Sequence, residues 1–182
     1  MNVELLKNIN HQKVDNAYLI RPYTINDERG FFSRIFDSSE FNKIFGYNFQ
    51  IKKVYNSLSL KKNTFRGMHA QKGDFAETKI IRCISGSLIN YIFDNRKSSK
   101  TFKTLIKIEL TAANRFVTVV PEGCLNGFHS LSDNAEVIYF SNNEYSPKHE
   151  YGIRPNDDIF KGKINLKNII ISSKDLLWSD YN

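Results

Sequence analysis

A histidine set between fixed positive charges is the group in this sequence best suited to chemistry. In Arg66-Gly67-Met68-His69-Ala70-Gln71 an imidazole follows a guanidinium across a glycine, and Lys79 comes next in Thr78-Lys79-Ile80-Ile81-Arg82. Imidazole changes charge near neutral pH, so cations beside it favour proton transfer on an anionic substrate. A second group is the pair of phenols in Ala135-Glu136-Val137-Ile138-Tyr139-Phe140-Ser141-Asn142-Asn143-Glu144-Tyr145. Their spacing is even, which puts Tyr139 and Tyr145 on one side of an unbroken strand. A phenol, with a pKa of about 10, donates a proton once polar neighbours hold it. A third group, Ile153-Arg154-Pro155-Asn156-Asp157-Asp158, places adjacent carboxylates after a proline and by itself reads as a turn.

Other chemistry has less support. The histidines are His11, His69, His129 and His149. A metal site in a β-barrel commonly takes two His one residue apart on a strand, and Ala70 and Gln71 follow His69 instead. His129 suits either the core or the surface, His149 reads as a solvated turn residue, and metal-free catalysis is expected. Cys83 and Cys124 belong to no C-x-x-C pair, which argues against a disulfide framework or structural zinc and fits a reducing, cytoplasmic setting. The net charge of +7 suits a polyanion, yet Lys and Arg are scattered and no nucleic-acid-binding signature appears. A nucleotide or phosphate ligand satisfies that charge. No stretch is apolar enough to span a membrane.

These side chains need a scaffold. The 182 residues, 13% of them aromatic, suit one domain, 1–182, with a sizeable core. Asp37 to Gly46 predicts a short helix with Ser or Asp as N-cap, Phe41, Ile44 and Phe45 on one face and Gly46 as the stop. Strand patterns fall at 49–58, 78–84, 87–94, 104–110, 116–120 and 136–141, with turn residues between them. Many short strands imply a mainly β sandwich, jelly roll or barrel. The tail from Ile164 carries apolar residues in both periods and its structure stays open.

The motifs, in their order, resemble the dTDP-4-dehydrorhamnose 3,5-epimerase family. Asp27-Glu28-Arg29-Gly30-Phe31-Phe32 is similar to D-x-R-G-F-F, Arg66 to Gln71 to R-G-L-H-Y-Q, and Lys79-Ile80-Ile81-Arg82 to K-L-V-R. Asp94-Asn95-Arg96, Ser99-Lys100-Thr101-Phe102, Pro121-Glu122-Gly123, the two tyrosines, Asn156-Asp157 and Ser173-Lys174-Asp175 continue the resemblance. It implies a cupin jelly roll with short flanking helices. It also implies a cofactor-free epimerase that inverts C3, C5 or both in a nucleotide-linked 4-keto-6-deoxy sugar, through an enolate, for surface polysaccharide synthesis. His69 would be the base, Asp157 its orienting carboxylate, Tyr139 the acid and Lys79 the oxyanion partner. Arg29 and Arg66 would hold the diphosphate, and Phe32, Asn56, Asn126 and Tyr145 would contact substrate. Because Arg29 reaches a neighbouring subunit in relatives, a homodimer is implied.

Three positions depart from the family pattern. Asn126-Gly127-Phe128 stands for H-G-F, Arg34 for the Glu that follows R-G-F-F, and Val54 or Lys53 for the Gln before Asn56. These bear on the nucleobase and leave a dTDP-hexose and a GDP-heptose both open. A 3,4-ketoisomerase and an inert sugar-nucleotide-binding cupin are the competing readings.

Overall fold

The structure is a computed structural model and describes residues 2–7, 13–46 and 48–181; His11 lies outside them. In chain order the elements are β1 (Asn2–Lys7), β2 (Lys13–Arg21), β3 (Thr24–Asp27), β4 (Gly30–Ser33), α1 (Ser38–Phe45), β5 (Lys53–Ser59), β6 (Thr64–Gln71), β7 (Lys79–Ser85) and β8 (Ser87–Asp94). They continue with β9 (Leu105–Thr111), β10 (Val117–Val120), β11 (Cys124–Ser130), β12 (Ala135–Ser141), β13 (Glu150–Gly152), β14 (Ile170–Ile171) and α2 (Ser173–Leu176). One sheet runs β1-β2-β10-β7-β12-β5, the other β13-β6-β11-β8-β9, with β14 parallel to β6. All other pairings within these two sheets are antiparallel, and β3 and β4 form a separate hairpin. This is the jelly roll expected from the sequence.

Alternation along each strand divides the apolar residues into three layers. Between the sheets lie Ile81 and Cys83 of β7, Leu88 and Ile92 of β8, Ile106 and Leu110 of β9 and Val137 of β12. Outside the first sheet, Ile80, Val117 and Val119 meet Phe41 of α1 and Phe49. Outside the second, Phe65, Met68, Phe93 and Leu125 are covered by Phe160, Ile164 and other residues of the tail. The tail therefore completes a core that the strands alone would leave open.

The helix forms as its caps dictate. The Asp37 carboxylate accepts the Ser39 and Glu40 N–H groups at 3.0 and 3.3 Å, and Gly46 closes the last turn at φ 74°. The strand expected from Phe49 starts only at Lys53, because the Phe49 ring packs on Phe45 at 4.6 Å and belongs to the helix layer. The strand patterns in the sequence do not mark β1 to β4, β6, β11, β13 or β14. In β6 and β11, glycines and polar residues interrupt the apolar alternation that would have marked a strand.

Where β8 ends, a polar network pins the loop that follows. The buried Asp94 carboxylate accepts Arg96 Nε and Nη2 at 2.8 Å, Ser99 Oγ at 2.6 Å and Thr101 Oγ1 at 2.5 Å. Burial alone would raise this carboxyl, but the bonds from Arg96, Ser99 and Thr101 outweigh it and hold it at about 2. Asp94→Ala should therefore cost about 3 kcal/mol in urea unfolding at neutral pH, since it strands a half-buried guanidinium and two hydroxyls. The folded carboxyl is depressed, so its contribution is present above the unfolded value of about 3.9 and lost as pH falls through about 2. The gap between wild type and variant should close over that range.

Candidate active site

Strands β6 and β11 approach each other closely enough to exclude a side chain. A Cβ on Gly67 would lie 2.5 Å from Gly127 Cα and 2.6 Å from the Asn126 carbonyl oxygen, so only glycine fits. The pairing slips by one residue between Asn126 and Phe128, opposite this contact. Arg66 and His69, three positions apart, consequently both face the space between the sheets, and Asn126 stands directly across from His69.

These residues line a cavity of about 240 Å³. Its other walls are Lys79 and Ile81 of β7, Tyr139 of β12, Ser57 of β5, Glu150 of β13, and Ser172, Lys174 and Asp175 around α2. An adjoining cavity shares His69, Lys79, Tyr139 and Glu150 and adds Tyr55, Gln71, Glu77 and Tyr145. His69 and Asn126 thus come from one sheet, and Tyr139 and Lys79 from the other.

Electrostatics set the protonation states. Burial first, then the charges of Lys79 and Lys174, push the His69 pKa down to about 3, so the ring is a neutral base at neutral pH. Its Nδ1 is buried without a hydrogen-bond partner, which leaves Nε2 as the nitrogen turned to the cavity. The nearly buried Lys79 ammonium pairs with Glu77 at 3.3 Å, and Ser141 Oγ donates to the same Glu77 carboxylate. Burial and the neighbouring Tyr55 and Glu77 raise the Tyr139 phenol, whose ring stacks on Tyr55 at 5.0 Å. Tyr139 is consequently a protonated donor. At the mouth, Tyr145 Oη donates to Glu150 at 2.8 Å, and Lys174 Nζ bonds the same carboxylate at 2.5 Å.

Several sequence expectations meet here, and others do not. The structure brings His69, Lys79, Tyr139, Arg66 and Asn126 around one cavity and Tyr145 to the adjoining one. Tyr145 does so from a loop, since β12 ends at Ser141. Asp157 lies elsewhere. Its carboxylate accepts the Ile159 and Tyr181 N–H groups, both at 2.9 Å, as the cap of a short 3₁₀ turn, and it does not line the cavity. Asn56 is also set apart from the cavity: Tyr55 and Ser57 turn inward, so Asn56 faces outward, where its amide donates to Glu136 at 2.7 Å. Arg29 and Phe32 sit on the exposed β3–β4 hairpin, away from this chain's own cavity, and Arg29 pairs with Asp27 at 2.5 Å.

Sequence alone gives Asp175 no role. This buried carboxylate accepts Trp178 Nε1 at 3.2 Å and the Gly67 N–H at 3.4 Å, while Ser172 caps its helix. Its signal in the sequence is Ser173-Lys174-Asp175. Glu77, Glu150 and Gln71 were missed as well. Gln71 holds the loop that carries Tyr145, donating to the Phe75 and Glu144 carbonyls and accepting the Ser146 N–H. Among the described residues, no group of three or more His, Cys, Asp or Glu side chains is arranged to hold a metal ion.

A neutral imidazole and a protonated phenol from opposite sheets line one jelly-roll cavity together with an ammonium, the groups that an isomerase moving protons requires. Residues 11–182 match the family model of dTDP-4-dehydrorhamnose 3,5-epimerase, and the chain belongs to that family of epimerases. It is 33% identical over 169 residues to the dTDP-4-dehydrorhamnose 3,5-epimerase of Shigella flexneri, covering 93% of each chain. The crystal structure of the enzyme from Elizabethkingia anophelis superposes with a TM-score of 0.88 at 30% identity, covering 100% of this chain and 97% of that one. That from Bacillus anthracis, solved with TDP and PPi bound, also gives 0.88, at 28% identity with 99% and 100% covered. No helix among the described residues is long and apolar enough to cross a membrane.

The depressed His69 pKa has two measurable consequences. The unfolded chain takes up a proton at His69 below about pH 6.5, whereas the folded protein does so only near 3, so wild type should lose stability relative to His69→Asn as pH falls across that window. Lys79→Met removes a neighbouring positive charge and should move the His69 titration upward in NMR. A His69 that titrates near 6.5 in wild type would contradict this account of the site.

Proposed function

We propose that this epimerase inverts one or both carbons flanking the ketone of a nucleoside-diphosphate-linked 4-keto-6-deoxy sugar. The ketone acidifies its neighbouring C–H bonds. His69 takes a proton from one face, the electron pair moves into the carbonyl to give an enolate, and Tyr139 returns a proton to the other face. Lys79 stabilises the oxyanion, a role in which one preorganised donor is worth about 3 kcal/mol. The observation that carries this reading is the placement of His69 and Tyr139 on opposite sheets across one cavity.

Asp175, rather than Asp157, is the carboxylate for His69. It lines the same cavity and hydrogen-bonds Gly67 on the same strand, and a carboxylate there offsets the positive charge that His69 acquires on taking the proton. The cavity of about 240 Å³ lies below the roughly 300–1,000 Å³ of sites for drug-sized ligands, which suits a sugar ring with the nucleotide toward the mouth. Arg66, exposed there with Nη2 on the Leu58 carbonyl at 3.1 Å, is placed for the diphosphate, for which a guanidinium fork is well shaped. The Bacillus anthracis relative binds TDP, and that of Legionella pneumophila, 25% identical, was solved with dTDP-4-keto-L-rhamnose. Both ligands support a nucleotide sugar here.

A homodimer accounts for the hairpin. Phe32 is 66% exposed and Phe31 52%, and Arg29 beside them is held only by Asp27 among the described residues. In this reading Arg29 and Phe32 complete the cavity of a second copy. Mixing inactive His69→Asn protein with Arg29→Ala protein should then restore up to about a quarter of wild-type activity, through heterodimers that hold one intact site. Activity no greater than the sum of the separate variants would remove Arg29 from a shared site.

Solvent deuterium separates base from acid. His69→Asn should abolish both label uptake and inversion. Tyr139→Phe keeps the ring and loses only the hydroxyl, so label should enter with the starting configuration retained at one carbon or both. Inversion at the wild-type rate by Tyr139→Phe would refute the assignment.

A further inference from the structure

Asn126 belongs to a buried polar chain that spans the two sheets. Thr118 of β10 and Asn90 of β8 are both fully buried, and Thr118 Oγ1 lies 2.9 Å from Asn90 Oδ1. Asn90 Nδ2 lies 3.1 Å from the Gly127 carbonyl and 2.8 Å from Asn126 Oδ1. A backbone carbonyl only accepts, so the Asn90 atom facing Gly127 is its NH₂ group. Its oxygen must then take the Thr118 hydroxyl proton, and its second N–H must go to an oxygen on Asn126. The Asn126 amide has one remaining orientation. Its oxygen is consumed in the protein interior, and its NH₂ group is left toward the cavity, with no protein partner among the described residues and without being sealed off.

From this orientation we infer that Asn126 is a catalytic residue: its amide N–H hydrogen-bonds the ketone oxygen and the enolate derived from it, sharing that oxygen with Lys79. Thr118 and Asn90 are the positioning residues that keep the donor turned inward. The inference rests on the enolate reading above and adds a donor to it. Register places Asn126 directly opposite His69, so its N–H lies beside the base that creates the enolate, while Lys79 approaches from the other sheet. An amide carries no charge and cannot take the proton from His69. It supplies a donor that stays a donor at every working pH. It also adds no positive charge next to a ring already crowded by Lys79 and Lys174. Two donors fixed before reaction, one charged and one neutral, need no reorganisation as charge moves onto oxygen.

The test follows solvent deuterium uptake into a 4-keto-6-deoxy sugar on dTDP and GDP carriers, together with calorimetric binding of the free nucleoside diphosphate. Asn126→Ala should slow uptake at saturating substrate by about 10²- to 10³-fold, and Asn126→Asp by at least as much, because a carboxylate repels the enolate. Nucleoside diphosphate affinity should stay within about twofold, since the amide touches only the sugar. Thr118→Val keeps the shape but frees the Asn90 amide, so kcat should fall about tenfold with KM unchanged, and Thr118→Ser should restore it. A purely packing role for Thr118 would alter thermal stability and leave kcat alone. Uptake by Asn126→Ala within about threefold of wild type overturns the inference while leaving the enolate reading intact. A loss of nucleoside diphosphate affinity equal to the loss of rate also overturns it, by making Asn126 a nucleotide contact. Absence of uptake by wild type on every carrier overturns the enolate reading itself, and this inference with it.

Discussion

The contact of two glycine backbones, Gly67 on β6 against Gly127 on β11, is the constraint on which the site depends. Any side chain at Gly67 would collide with main-chain atoms, and main chain has little freedom to yield inside a sheet paired on both sides. Because the strands touch there, the register slips by one residue, Arg66 and His69 both turn inward, and Asn126 is set against His69. Met68, between them, is left for the outer layer, where it is fully buried against the tail. Gly152 on β13 repeats the requirement one strand away: a Cβ there would lie 2.5 Å from the Met68 carbonyl oxygen and 2.7 Å from the Trp178 ring. That ring is also the hydrogen-bond donor to Asp175. Close backbone packing therefore sets the positions of the imidazole, the amide and the carboxylate together.

Charge in the cavity is arranged so that its base stays neutral. Lys79 retains Glu77, and Lys174 retains Glu150. The positive charges of Lys79 and Lys174 act on the unpartnered imidazole, where a proton would add a further positive charge to a buried ring. Binding a diphosphate near Arg66 would weaken that penalty. The anion would then raise the proton affinity of His69 only once substrate is present, which couples occupancy to basicity through simple Coulomb attraction.

The parts of the fold that local chemistry dictates were legible in the sequence. Asp37 and Gly46 mark the ends of α1 because each satisfies backbone groups within its own turn. Strands β7, β8 and β12 read correctly because their patterns follow sheet burial. Strands β6 and β11 did not, since glycines and polar side chains needed for close approach and for the cavity replace apolar residues in them. Local rules fail where a site is built. The face of Asn56 and the choice between two aspartates needed tertiary facts. Alternation shows that Tyr55 and Asn56 point oppositely, yet only the pairing of β5 with β12 decides which points inward. Asp157 and Asp175 both stood in recognisable motifs, and which carboxylate reached the cavity depended on how the tail folds back over β6. Ser172, Trp178 and the isolated bridge between Ile153 and Ser179 fix that path.

The two-sheet architecture bears directly on stereochemistry under the proposed assignment. A single proton-transfer group beside an enolate returns the proton to the face from which it came, so inversion needs a second group on the far side. In a sandwich, any ligand held between the layers has one face toward each sheet. Here the layers supply unlike groups, an imidazole from β6 and a phenol from β12, and the two opposite protonation shifts keep them in complementary states before substrate arrives. The Asn90–Thr118 bridge ties β8 to β10 across the same interior, which fixes the separation of the walls beside the cavity. The distance over which a proton is lost on one face and gained on the other is therefore a property of the sandwich core and not of its loops.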